Sequence, residues 1–268
     1  MAIEVFSRYE KKFLIDEKSY RFITDRISNY MIADKYNKDK EFYNIANIYY
    51  DTENDALIRA SIEKPVYKEK LRLRSYGVPE LSDKVFLEIK KKYKGLVNKR
   101  RTKLRLDEAY ALTLDGVKTA DAHYINKQVL SEIEYFLKVY DLVPKVYLTY
   151  DRKAFFAADD SDFRVTFDTN IKSRREDVRL EAGNHGELLI GNDMWLMEVK
   201  SKDAVPLWFT KILSEAQVYP TSFSKYGTEY KKYLISKNNI KGDNKICLPV
   251  YTRQQQIQQY PQRVHLSA

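Results

Sequence analysis

Lys68, Lys70, Arg72 and Arg74 stand at every second position of the run VYKEKLRLRSYG. On a β-strand all four cations leave from one face. Like charges lined up this way repel one another, so the arrangement calls for a polyanion opposite. The pattern recurs. Phe86, Glu88, Lys90 and Lys92 alternate with Val85, Leu87 and Ile89; Arg164, Thr166 and Asp168 alternate with Phe163, Val165 and Phe167; Glu198 and Lys200 flank Val199. Taken by parity, the basic candidates for one shared face are Arg8, Lys12, Lys68, Lys70, Arg72, Arg74, Lys90, Lys99, Arg101, Arg152, Arg164, Lys200 and Lys225. The acidic candidates are Glu10, Glu88, Asp168 and Glu198. The planar arginine fork grips phosphate oxygens in pairs, with lysine as a point charge beside it. Carboxylates among so many cations either pair with their neighbours or hold a hard divalent ion such as Mg2+ or Mn2+ against phosphate oxygens. For Glu10, Glu88 and Asp168 both roles stay open.

The elements that must carry these residues read as follows. VFSRYEKKFLI is a first strand, Asp16 caps a helix to about Met31, and NIANIYYDT is a strand. Strands at 68–76 and 85–93 and the basic stretch VNKRRTKLRL look like antiparallel neighbours. The pattern turns helical in DEAYALTLDG and again over about 121–140. It returns to strands at KVYLTYDRKAFF, FRVTFDTNI and WLMEVKS, with a short strand expected at VRLEA. Helices follow over about 205–216 and from Ser222. The expectation is an α+β fold with about eight strands and four or five helices, without the strand–helix alternation of a parallel sheet. The main domain is expected over 1–237, and the Gln-rich segment 238–268 as an extended or poorly ordered tail. Half-polar strands either face water on an open sheet or curl into a barrel with charge inside and helices outside. On periodicity alone the open sheet is the default.

Composition restricts the class. The chain has 268 residues, 47 Lys plus Arg against 38 Asp plus Glu, and a net charge of +9, which favours an anionic partner. A single cysteine, Cys247, excludes an internal disulfide framework and a zinc cluster. His123, His185 and His265 have no metal-ligand spacing and read as surface residues. No Walker-type loop or dinucleotide fingerprint is present. The run MAIEVFSRYEKK lacks an apolar core segment, and nothing approaches the roughly 20 apolar residues of a spanning helix. A soluble, cytoplasmic protein is expected.

Eight short signatures, in content and order, resemble the polyphosphate polymerase domain of the vacuolar transporter chaperone (VTC) proteins and their bacterial relatives. They are RYEKK at Arg8–Lys12, KLRLRSYG, VFLEIKKKYKG, VNKRR, VYLTYDRKAFF, FRVTFDTNI, WLMEVKSK and FSKYGTEY, and together they span about residues 3–235. The resemblance implies a triphosphate tunnel: a closed eight-stranded antiparallel barrel with a basic lumen and helices outside. It implies that Lys12 is the N-terminal tunnel lysine and that Arg72 and Arg74 grip a nucleotide triphosphate. Lys90, Lys99 and Arg101 extend the basic wall, Arg152 and Arg164 bind further phosphates, Glu198 binds metal, and Lys225 reaches the mouth from the C-terminal helix. Arg8, Lys70 and Lys200 by parity add phosphate contacts, and Glu88 is a second candidate metal ligand.

One departure discriminates within that superfamily. Its tunnel triphosphatases and its adenylate cyclase and thiamine triphosphatase branch carry two glutamates and a lysine at alternate positions of the first strand, where this chain has Arg8, Glu10 and Lys12. Two-metal hydrolysis loses a ligand there, and a held phosphate chain gains a contact. The implied reaction is transfer of the γ-phosphate of ATP to a growing polyphosphate, dependent on Mn2+ or Mg2+. The alternatives are a non-catalytic phosphate or polyphosphate sensor and a tunnel-type triphosphatase. Nucleic acid is disfavoured as partner because the cations alternate with carboxylates instead of forming exposed aromatic-basic stripes. The resemblance also implies a membrane-protein partner and hence membrane association through it.

Overall fold

The computed structural model describes residues 9–37, 41–94, 96–117, 122–160 and 162–241. Ten strands and six α-helices follow one another as β1 (Tyr9–Asp16), α1 (Glu17–Ile27), β2 (Met31–Ala33), β3 (Tyr43–Asp51), α2 (Ala56–Ile62), β4 (Tyr67–Tyr76), β5 (Lys84–Tyr93), β6 (Leu96–Arg105), α3 (Leu106–Leu114), α4 (Lys127–Val139), β7 (Val143–Ala157), β8 (Arg164–Arg174), β9 (Glu187–Leu188), β10 (Met194–Ser201), α5 (Leu207–Glu215) and α6 (Lys225–Lys241). Two compact units divide the chain, Met1–Tyr230 and Lys231–Ala268. All ten strands belong to the first. The extended tail is expected over 238–268, but α6 runs on to Lys241, and residues from 242 on lie outside the described residues, as do Arg8, Cys247 and His265.

The strands form one antiparallel sheet in the order β1-β10-β8-β7-β3-β4-β5-β6, with β2 added beside β7 and β9 beside β8. This corrects the expectation of a closed eight-stranded barrel, because β1 and β6 are the ends of the path and do not pair. Both edge strands are rich in charge, with EKK in β1 and NKRRTK in β6, and charged side chains on edge strands blunt pairing. The sheet nevertheless curls strongly. Glu10 on β1 is attracted by Lys90 on β5, and Lys12 acts on Lys70 of β4, although β1 has only β10 as a hydrogen-bonded neighbour.

Alternation decides which face is which. Val85, Leu87 and Ile89 of β5 and Leu71 and Leu73 of β4 are fully buried on the convex face against Leu106, Ala109 and Leu112 of α3 and Val129, Ile133 and Phe136 of α4. Phe13, Ile15, Val165, Phe167, Met197 and Val199 pack in the same way beneath α1 and α5, against Tyr20, Ile23, Ile27 and Phe209. Burial of each such side chain stabilises the fold by about 1.5–3 kcal/mol. Helices α1, α3, α4 and α5 therefore sit outside, and the charged positions are left on the concave face.

Local signals behave as their chemistry requires. Asp16 caps α1 by accepting the Ser19 N–H at 2.8 Å, and Glu108 takes the Arg105 N–H at 2.9 Å where α3 begins. The expected strand at VRLEA does not form. There the Arg174 guanidinium donates to the carbonyls of Asp177, Arg179, Gly183 and His185 at 2.7–3.0 Å, satisfying a loop backbone that would otherwise need a ladder. The short partner of β8 is instead β9.

Candidate functional site

Register places the concave-face residues opposite one another. Lys12 pairs with Glu198 and Glu198 with Thr166; Glu10 pairs with Lys200 and Lys200 with Arg164; Asp168 pairs with Arg152. On the other side Arg72 pairs with Glu88 and Glu88 with Arg101, while Lys70, Lys90 and Lys99 stand in one row across β4, β5 and β6. These residues fall into two ion clusters.

The first cluster is built on Glu198 and Asp168. Lys12 lies 3.6 Å from Glu198 and 3.3 Å from Glu10, and Lys200 lies 3.1 Å from Glu198. Arg152 grips Asp168 with two bonds of 2.6 and 2.7 Å and stands 3.7 Å from Glu198. Lys225, the first residue of α6, donates to Asp168 at 2.5 Å and reaches Glu198 at 3.5 Å. Its placement is fixed from both sides: Tyr226 donates to buried Asp51 at 2.9 Å, and Arg175 clamps Glu229 at 2.7 and 2.9 Å. Ahead of α6, the Thr221 N–H bonds the Lys12 carbonyl at 2.7 Å.

The second cluster is built on Glu88, which is fully buried. Arg72 donates to one of its oxygens at 2.6 Å, Lys99 lies 2.6 Å from the other, and Arg74 stands 3.9 Å away. Arg74 is oriented by Asn47 at 2.8 Å and by the Tyr150 hydroxyl at 3.2 Å, and Arg72 also donates to the Tyr49 hydroxyl at 3.3 Å. Arg164 is held apart from both clusters by Asp34 at 3.2 Å. Arg101 lies 4.5 Å over the Phe86 ring and is exposed.

Charge dominates burial for the anions. Burial opposes ionisation of Glu198, but Lys225, Lys200, Lys12 and Arg152 hold it well below the usual carboxylate range. Asp168 is likewise lowered, against burial, by Arg152 and Lys225, and Glu88 lies well below its ordinary value through Arg72, Arg74 and Lys99. The cations divide. Burial disfavours charge on Lys12 and Lys225, yet nearby carboxylates outweigh it and raise both. Lys70 has no such carboxylate: burial, with Lys68, Lys90 and Lys12, brings it down to about 8. Lys90 is lowered by burial and by Arg72, Lys12 and Lys200, against the attraction of Glu10. Lys99 shares its one carboxylate with two arginines, and burial together with them brings it to about 7. Tyr49 resists ionisation through burial, but Arg72 and Lys70 take it net down to about 8. For Lys70, Lys90 and Lys99 burial is the largest cause, and repulsion from neighbouring cations adds to it.

Among the described residues no group of three or more His, Cys, Asp or Glu is arranged to hold a metal unaided. A hard divalent cation needs fewer protein ligands when phosphate oxygens and water complete its shell. Glu198 is the better placed for that requirement, since its cations stand 3.1–3.7 Å away and Glu10 lies near it; burial and Glu198 oppose ionisation of Glu10, but Lys200, Lys90 and Lys12 hold it below its ordinary value. Glu88 fits it poorly, since its two oxygens face Arg72 and Lys99.

Several members of this face were not among the candidates named from the sequence. Asn47, Tyr49 and Tyr150 orient the arginines, and Asp34 holds Arg164 from the turn after β2. Asn47 and Tyr49 alternate with Ala46, Ile48 and Tyr50, and Tyr150 shares the parity of Arg152, whereas Asp34 lies outside any strand.

A solved structure described as a putative adenylate cyclase from Bacillus halodurans shares this fold, with a TM-score of 0.51 at 13% identity over 83% of this chain and 96% of that one. Vacuolar transporter chaperone complex subunit 4 of Schizosaccharomyces pombe is 25% identical over 228 residues, covering 76% of this chain and 31% of that protein. The same-named subunit of Trypanosoma brucei brucei is 24% identical over 213 residues, covering 66% of this chain and 27% of that one. The chain thus spans less than a third of the length of these relatives. The VTC domain profile matches residues 7–234, nearly the whole of the curled sheet and its helices, and the chain belongs to the VTC domain family.

Proposed function

We propose that this domain is a polyphosphate polymerase that transfers the γ-phosphoryl group of ATP to the end of a polyphosphate chain. The observation that carries the reading is the convergence of Lys12, Arg72, Arg74, Lys90, Arg152 and Lys200 on one concave face, around carboxylates too few to neutralise them. A linear polyanion supplies the missing charge along the whole face, where a single small anion would leave most of it uncompensated.

In the proposed reaction an ionised terminal phosphate oxygen of the chain attacks the γ-phosphorus in line. The new P–O bond lengthens the polymer, the bond to the β,γ-bridging oxygen breaks, and that oxygen leaves on ADP. No proton is abstracted from the nucleophile, so no general base is needed. The loose transition state asks for positioning and charge neutralisation. Arg72 and Arg74 supply fixed guanidinium forks, Arg152 and Arg164 supply others across the face, and the lysines supply point charges. A divalent ion, bound through Glu198 and phosphate oxygens, would add charge stabilisation on the transferring group. Arg8 is proposed as a further contact, as are Lys70, Lys99, Arg101 and Lys225.

The test is purified protein with ATP and Mn2+ or Mg2+. Accumulation of acid-resistant phosphate polymer with stoichiometric ADP supports the polymerase. Binding of ATP and polyphosphate without polymer identifies a sensor, and release of free phosphate alone identifies a triphosphatase. Association with a transporter chaperone complex is proposed from the name of the relatives; among the described residues no helix is long and apolar enough to cross a membrane.

A further inference from the structure

Beside the arginine pair the concave face changes character. Arg72, Arg74 and Tyr76 alternate along β4, so the ring follows the two guanidiniums on the same side of the strand. Tyr76 is 44% exposed, and its ring stacks on that of Tyr36, itself 56% exposed, with centroids 5.8 Å apart and planes 9° from parallel. Tyr43 lies 6.1 Å from Tyr76, and Phe86, the cross-strand partner of Arg74, meets Tyr76 edge-on at 5.9 Å. Arg101 and Lys103 stand over Phe86 at 4.5 and 5.9 Å.

Four aromatic rings gathered at one border of a basic face need a reason, because two of them remain open to water and add nothing to the apolar core. Core packing does not require them: both core clusters lie on the convex side, and none of the four belongs to either. A phosphate chain does not use them, since it has no flat apolar surface to stack. A nucleoside triphosphate has both parts. With its phosphates on Arg72 and Arg74, the base is tethered within reach of the next ring along the strand, and a flanking guanidinium adds a cation–π contact.

We infer that Tyr76 and Tyr36 form the stacking platform for the base of the nucleoside triphosphate, with Phe86 and Arg101 bordering it. The inference rests on the polymerase reading for the placement of the phosphates. It makes the site asymmetric: the donor nucleotide enters from the aromatic border, and the phosphate chain occupies the lysine-rich remainder. Stacking accepts any base with a π-face, so the platform distinguishes nucleoside triphosphates from inorganic phosphate chains and not one base from another.

The test compares ATP with inorganic tripolyphosphate by calorimetry, in magnesium buffer, for the full chain, Tyr76→Ala, Tyr36→Ala and Tyr76→Phe. The expected result is that each alanine variant weakens ATP about fivefold or more while tripolyphosphate affinity stays within about twofold, and that Tyr76→Phe keeps ATP affinity. Equal weakening of both ligands, or no change in either, overturns the inference. Arg72→Ala is the control for the reading beneath it: both ligands lose affinity if the phosphates lie there. A loss confined to the tyrosine variants and to ATP, with Arg72→Ala silent, would sink the phosphate placement and leave a base site unconnected to it.

Discussion

Lys225 and Asp168 come from α6 and β8, 57 residues apart, and meet at 2.5 Å inside the concave face. The contact joins the last helix of the main unit to the ion cluster that also holds Arg152 and Glu198. A charge delivered from a helix start, instead of from a strand, is an element of the site that strand alternation cannot supply.

Lys225→Met is therefore expected to cost stability and binding together. Asp168 keeps the Arg152 fork, so the loss is nearer that of a charged hydrogen bond, about 1.5–3 kcal/mol, than of a buried ion pair. Urea melts measure it. A midpoint identical to that of the parent protein would show that the contact does not support the fold.

Arg72→Ala is expected to destabilise by a similar amount, about 1.5–3 kcal/mol, because fully buried Glu88 loses one charged hydrogen bond and keeps Lys99 and the more distant Arg74. Adding Glu88→Gln removes the carboxylate left short of a partner. The double variant should recover most of the stability but none of the tripolyphosphate affinity, which separates the two tasks of Arg72. Recovery of affinity along with stability would remove Arg72 from the phosphate contacts.

Glu198→Gln tests the divalent ion. The substitution keeps shape and removes the charge that Lys12, Lys200 and Lys225 surround. Phosphate binding without metal should hold or tighten, since an anion leaves a basic face, while the divalent-ion concentration needed for half-maximal polymer synthesis should rise about tenfold or more. An unchanged metal titration would discard Glu198 as a ligand.

What the sequence disclosed was the face each residue occupies. The alternation in KLRLR and in VFLEIK follows from strand geometry alone, and register confirms it at Arg72 opposite Glu88. Which strands become neighbours depends on long-range pairing, so the contacts of Asn47 and Tyr150 with Arg74 were not readable: they exist because β3 inserts between β7 and β4. Glu88 shows the same limit. Its position in VFLEIK marks it as inward, but whether it meets cations or a metal depends on Lys99 arriving from the next strand. Closure of the barrel was unreadable for a related reason, since alternation is identical in an open and a closed sheet.

The depressed lysines give the binding reaction a pH dependence. Lys99 and Lys70 titrate in the folded protein at about 7 and about 8, below the ordinary lysine value of 10.5, and Tyr49 ionises at about 8. The unfolded chain keeps the two lysine protons to a higher pH than the folded one, so their charging cost weakens the fold below this window and fades as pH rises through it. Ligand binding has the opposite dependence. A polyanion favours the charged lysines and the neutral phenol, so it binds best below about pH 7 and with proton uptake near pH 8, and each titration on raising the pH removes positive charge or adds negative charge. Calorimetry of tripolyphosphate binding in two buffers of different ionisation enthalpy should report that uptake, with affinity falling several-fold between about pH 7 and pH 9. Lys70→Arg remains charged throughout and should flatten the profile, which separates the protein's titration from that of the ligand. Equal heats in the two buffers near pH 8 would mean that neither lysine changes its protonation on binding and that the unneutralised charge lies elsewhere on the face.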